Sequence, residues 1–153
     1  MADDFVHNDE ILYRRIIAGR NLYKRKPDGS IEINSQAFYE GESRISVDRA
    51  SLCNNDPRHT LNGFEGGVVS FVTSEIRNIN DLARNQRGEN TNTTQYFIIE
   101  VEPAPIPNNI AHAEICAIPA FTDADKRGAY KKLCRRLARL AEEKPWEIFP
   151  NDQ

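Results

Sequence analysis

Residues 96–118, YFIIEVEPAPIPNNIAHAEICAI, carry the pattern that decides the fold. Phe97, Ile99 and Val101 alternate with Tyr96, Ile98, Glu100 and Glu102; further on, Ala111, Ala113, Ile115 and Ala117 alternate with His112, Glu114 and Cys116. A period of two sends successive side chains to opposite faces, so each half predicts a strand with one apolar face. The linker between them holds three prolines and two asparagines, and it delivers His112 at the start of the second strand.

Working back from this pair, ILYRRII at 11–17 favours a strand through its β-branched and aromatic residues. Pro27-Asp28-Gly29 predicts a chain reversal, because proline presets one dihedral and glycine accepts a positive one. Residues 35–40, SQAFYE, are ambiguous, with Phe38 as the core contributor. In RISVDRASL, 44–52, Ile45 and Val47 alternate with Ser46 and Asp48, a half-buried strand with two polar residues on one face. Residues 53–67 read as loop. Residues 68–72 read as a short strand and 74–83 as a helix opened by Thr73 or Ser74, although Val69, Val72, Ile76, Ile79 and Ala83 also fit one continuous helix. The run 84–95, RNQRGENTNTTQ, has no apolar residue with which to offset the entropy of ordering, and predicts an exposed, mobile loop.

The C-terminal helix starts at a capping-box pair, Thr122 and Asp125, with Asp123 in its first turn. Tyr130, Leu133, Leu137 and Leu140 form an apolar stripe at helical spacing. Pro145 ends the helix, and Trp146, Ile148 and Phe149 are expected to fold back onto the domain. The expected fold is a single α+β domain over 11–150: a mostly antiparallel sheet of about five strands, with this amphipathic helix on one face. Residues 1–10 read as a flexible acidic arm and 151–153 as a tail.

A chain of 153 residues can bury a core without disulfides or metal. The N-terminus MADDFVHNDE is unlike a secretory signal, and no stretch reaches the roughly 20 apolar residues of a bilayer span. Cys53, Cys116 and Cys134 are an odd set without C-x-x-C spacing, so the expected setting is a reducing cytoplasm. The formal charge of −3 conceals an asymmetry: residues 1–125 carry 12 Lys/Arg against 19 Asp/Glu, and residues 126–153 carry 8 against 4. Lys131, Lys132, Arg135, Arg136 and Arg139 thus offer either the solvated back of a helix or a surface for an acidic partner or nucleic acid.

His112 beside Glu114 is an acid–base candidate, since a neighbouring carboxylate fixes a histidine's tautomer. Arg14 and Arg15 lie inside an apolar segment and need an anion, supplied either by Asp48 or by a ligand; Arg49 is a further candidate. Cys53, His59, His112 and Cys116 do not have zinc-knuckle spacing, and residues four apart on a strand are about 13 Å apart. No metal or other cofactor is predicted. No phosphate-binding glycine loop, G-x-S-x-G elbow or H-E-x-x-H stretch occurs.

LYRRI, SVDRA and the prolines before AHAEI together resemble, over most of the chain, a group of short bacterial proteins with an LYRRI-like start, an S-V-D-x-A segment and an N-P-A-H-A-like step. This chain departs from them at Asn109-Ile110, where the group tends to have Asn-Pro, and in the inserted loop 84–95. The resemblance implies that Tyr13, Arg14, Arg15, Ser46, Asp48 and His112 form one constellation, but it brings no assigned activity. The leading functional expectation is a small binding or accessory module acting with a protein partner, in a stress-response or defence setting. The alternatives are a small enzyme on an anionic nucleotide or nucleic-acid substrate, with His112 as acid or base, and nucleic-acid binding through the basic helix.

Overall fold

The computed structural model describes residues 4–84 and 95–150. Five antiparallel strands form one sheet in the order β5-β1-β4-β7-β6: β1 is Ile11–Ile17, β4 Ile45–Arg49, β5 Gly66–Val72, β6 Ile98–Pro103 and β7 His112–Ile118. A separate hairpin pairs β2 (Tyr23–Arg25) with β3 (Ile31–Ile33). Its turn is the predicted one: Gly29 donates to the Lys26 carbonyl, while Asp28 accepts from the Ser30 backbone and hydroxyl.

Helix α3 (Ala129–Glu142) covers one face of the sheet, as the α+β reading requires. Leu12, Ile16, Ile45, Val47, Phe71, Ile99, Val101, Ala113 and Ile115 meet Tyr130, Leu133, Leu137, Ala138 and Ala141 there, all buried. The capping box of Thr122 and Asp125 opens a 3-10 turn, Asp123–Arg127, and α3 begins only after Gly128. Strand followed by helix is correct for 68–83, but the helix, α2 (Thr73–Arg77), is shorter than its apolar pattern predicted. Ile79 and Leu82 are still buried, packed from irregular backbone.

The loop expected at 53–67 contains a short helix, α1 (Pro57–Leu61). Its signals stand in the sequence: Asp56 accepts from the Arg58 N–H as N-cap, Pro57 occupies the first turn, and Asn62 ends the helix in the left-handed region. With the 3-10 turn Ala50–Cys53 it packs over part of the sheet's other face around Tyr13, Ala50, Cys53, Val68 and Ala111.

The N-terminal arm also needs correction from residue 4 onward. Val6 is fully buried, Thr73 and Ser74 donate backbone bonds to Glu10 and Asn8, and Glu10 is paired with Arg49. Residues 1–3 and 151–153 lie outside the described residues, as does most of the predicted loop. At its base Arg84 donates to the Gln95 carbonyl and pairs with Asp125 at 2.8 Å.

Both sheet edges are capped in part. On β5, Val68 exchanges backbone bonds with Glu147 and Ile148. On β6, the Val101 N–H donates to the Glu100 carboxylate, Arg77 donates to the Val101 carbonyl, and Pro103 has no N–H to offer. A capped edge gives another strand few groups with which to pair.

Candidate functional site

The site originates in a split in the sheet. β1 and β4 share only two rungs, Leu12 opposite Arg49 and Tyr13 opposite Asp48. Beyond them β1 stays with β5 as far as Ile17 and β4 stays with β7 as far as Ile45, so the two pairs part company. The backbone groups left facing the gap need partners. Arg14 fills it: its Nη1 donates to the Ser46 carbonyl at 2.7 Å and to Glu40 at 2.5 Å, and its Nε and Nη2 donate to the Ala37 carbonyl. Glu40 in turn accepts from the Ser46 N–H at 2.7 Å. Arg14 is therefore a structural wedge, paired with Glu40 where the sequence suggested Asp48 or a ligand.

On the face away from α3, strand register aligns Ser70, Tyr13, Asp48 and His112 in one row across four strands. Above the row opens a cleft of about 750 Å³, bordered by Tyr13, Arg14, Arg15, Ser46, Asp48 and His112 of the expected constellation. His59 and Thr60 from α1 and Asn108 and Asn109 from the proline linker also line it, as does Glu40, paired with Arg14, with Arg20, Tyr39 and Arg58 at its border.

Asp48 is buried and fully engaged. Its Oδ2 accepts from the Thr60 hydroxyl at 2.7 Å and its Oδ1 from Asn109 Nδ2 at 2.8 Å. Asn109 Oδ1 accepts the Ala111 N–H at 3.1 Å and lies 2.9 Å from His59 Nε2. Because the Asn109 amide donates to Asp48, its oxygen can only accept, so His59 carries its proton on Nε2. Asp48 Oδ2 stands 3.9 Å behind the same nitrogen. Among the described residues Nδ1 of His59 has no hydrogen-bond partner.

His112 is held differently from the expectation. Glu114 is taken by Arg44 at 2.6 Å, and it is the Ala104 carbonyl, 2.8 Å away, that receives a hydrogen from His112 Nδ1. The neutral ring therefore keeps its lone pair on Nε2. Burial pushes the Tyr13 phenol above its ordinary value, helped by the charge of Glu147. Burial and then the Asp48 charge do the same to the Cys53 thiol.

Arg15 is distinct. It reaches the cleft with its guanidinium 4.6 Å from the Phe64 ring and has no carboxylate or carbonyl partner among the described residues. Among the described residues the other buried or half-buried arginines are all paired: Arg14 with Glu40, Arg44 with Glu102 and Glu114, Arg49 with Glu10, Arg77 with Glu100, Arg84 with Asp125, and Arg136 with Asp81.

Two expected binding residues stand elsewhere. Arg49, 4 % exposed, is sealed by Glu10 and the Phe5 carbonyl, and Glu114 belongs to the Arg44 cluster. The basic helix presents Lys131, Lys132 and Arg135 to solvent, while Arg136 and Arg139 are drawn to Asp81 and Glu142. His59, Thr60 and Asn109 were not among the predicted site residues; the capped Asp56-Pro57 helix start was the available signal. Among the described residues no group of three or more His, Cys, Asp and Glu side chains is placed to hold a metal ion, and no helix is long and apolar enough to cross a membrane.

These features define an antiparallel α+β domain with a polar, arginine-bearing cleft on the open side of its sheet. Compared with protein-family models, curated proteins and solved structures, the chain finds no match.

Proposed function

We propose that this domain binds an anionic, phosphate-bearing ligand in the cleft, with Arg15 as the charge contact. The observation that carries the reading is the unpaired guanidinium of Arg15, when the other buried or half-buried arginines among the described residues all have carboxylates. A half-buried guanidinium gives up hydration, and an anion returns the lost interactions through charge-assisted, bidentate bonds. Its stacking on Phe64 holds the planar group in one orientation for that purpose. Asn108 and the ring nitrogens of His59 and His112 add polar contacts around the charge.

The protein-partner reading has as its support an exposed cross-strand pair, Ile98 opposite Ile118, with Tyr96 beside it. That patch does not specify an occupant, whereas the cleft specifies a charge. Binding through the basic helix is less favoured, because two of its five cations are already engaged by carboxylates.

Titration calorimetry with inorganic phosphate and with adenosine 3′-monophosphate tests the proposal. Saturable binding is expected, weakened by salt, and Arg15→Gln should reduce affinity about tenfold, or about 1.4 kcal/mol. Arg58→Gln, at a residue held by Asp56 on the rim, should change it far less. Absence of saturable binding, or equal affinity in Arg15→Gln, removes the proposal.

A further inference from the structure

Two imidazoles line the cleft, and anion binding alone does not explain how they are held. Each has one nitrogen anchored on the protein: His59 Nε2 on Asn109, and His112 Nδ1 on the Ala104 carbonyl. Each therefore has one tautomer selected and its second nitrogen left for chemistry. They are linked through Asp48, which is the cross-strand partner of His112 and stands 3.9 Å from the anchored nitrogen of His59.

The protein hydroxyls and thiol nearby are poor nucleophiles as placed. Thr60 donates its hydroxyl to Asp48, Ser46 lies 3.3 Å from Glu40, and burial keeps Tyr13 and Cys53 protonated. A reaction suited to this site brings its own nucleophile and requires one proton to be taken and one given beside a phosphate. Single-stranded RNA meets that description, because its 2′-hydroxyl adjoins the phosphodiester.

Building on the anion-binding reading, we propose that the cleft cleaves RNA by transesterification, with His59 as general base, His112 as general acid and Arg15 on the phosphate oxygens. The 2′-oxygen forms a bond to phosphorus as its proton passes to His59 Nδ1. The bond from phosphorus to the 5′-oxygen breaks, and that oxygen takes the Nε2 proton of His112, which enters the reaction as the imidazolium and leaves it as the neutral Nδ1–H ring. The products are a 2′,3′-cyclic phosphate and a 5′-hydroxyl, and water restores the two imidazoles to their starting protonation. Asp48 and Asn109 are positioning residues: they set the His59 tautomer and stabilise the imidazolium it becomes.

The test uses the purified full chain, a labelled single-stranded RNA oligonucleotide and the DNA oligonucleotide of the same sequence. RNA should be cut to fragments ending in a cyclic phosphate, with a bell-shaped dependence on pH, while DNA is bound and left intact. His59→Ala and His112→Ala should each lower the rate at saturating RNA by about 10² or more, a loss that weaker binding cannot account for once the substrate is saturating. His59→Gln retains an N–H donor for Asn109 but no base, so an equal loss there shows that the effect is chemical. If DNA is bound in an Arg15-dependent manner and RNA is not cut, or if cutting persists at the wild-type rate in the histidine variants, the cleavage proposal falls and the anion site stands. If no Arg15-dependent binding occurs, both fall.

Discussion

Asp48 takes its environment from neighbours that alternation alone could not identify. A period of two placed it with Ser46 on one strand face, and that holds; the gap between β1 and β4 then gave Arg14 to Glu40 and left Asp48 to Thr60 and Asn109. Asn109 is the joint of this network, donating to Asp48 and accepting from His59 and Ala111. Asn109→Ala removes a donor from a buried carboxylate and the acceptor from His59, so the ring loses the constraint on its tautomer. Nitrogen-15 spectra of the imidazoles should show His59 protonated on Nε2 in the neutral wild-type protein and a mixture of tautomers in Asn109→Ala. An unchanged His59 pattern would mean that Asn109 does not set its tautomer. His112, anchored on Ala104, should keep its Nδ1–H form in both proteins.

At the scale of elements, the C-terminal segment acts as a fastener on β5. The expected fold-back of residues after Pro145 occurs: Trp146 packs on the main core and Ile148 pairs with Val68, whereas Phe149 is half exposed. This contact depends on Gly67. A Cβ there would sit 2.5 Å from the Ile148 carbonyl and 2.7 Å from the Trp146 ring, and the backbone oxygen cannot swing aside. Gly67→Ala should cost about 1–3 kcal/mol by overpacking, read as a lower urea midpoint and as quenching-accessible Trp146 fluorescence. Gly41→Ala, with nothing within 4 Å of its Cβ, is the matched control and should be near neutral. Similar midpoints for the two variants would show that the segment does not depend on this close approach.

For the molecule as a whole, two ion pairs, each with one buried and one half-buried member, join distant parts of the chain: Glu10 with Arg49, and Asp125 with Arg84. Burial alone would raise both carboxylates. The hydrogen bonds from Arg49 and the His7 backbone more than offset this at Glu10, as do those from Arg84 and Thr122 at Asp125, and both end below the ordinary carboxylate range. A depressed carboxylate stabilises the fold fully above its unfolded value and loses that contribution as pH falls through the folded one. Stability measured by urea unfolding should therefore decline through and below the carboxylate range. The decline should be shallower in Asp125→Asn, whose neutral amide has no such linkage. Removing the partner of a buried charge, as in Glu10→Ala, should cost roughly 3–5 kcal/mol at neutral pH. Parallel pH curves for wild type and Asp125→Asn would exclude the linkage.

Local periodicity was sufficient for what depends on near neighbours in the chain. It placed β1, β4, β6 and β7, the turn at Pro27-Asp28-Gly29, the apolar stripe of α3 and hence the α+β class, because strand alternation and helical spacing are properties of adjacent residues. It also put Ser46 with Asp48 on one face of their strand and His112 with Glu114 on one face of theirs, without showing that the two faces are the same side of the sheet. Pairing between segments was out of its reach. Strand register brought Ser70, Tyr13, Asp48 and His112 into one row, and the parting of β1 from β4 opened the cleft. α1 then carried Thr60 to Asp48, 12 positions away in sequence, and His59 to Asn109, 50 positions away, since a side chain's partners are chosen by distance in space and by which charges elsewhere are already taken. That is why Arg14, Arg49 and Glu114, alike on paper to Arg15 and Asp48, ended as structural pairs, and Arg15 was left facing the cleft without an anion.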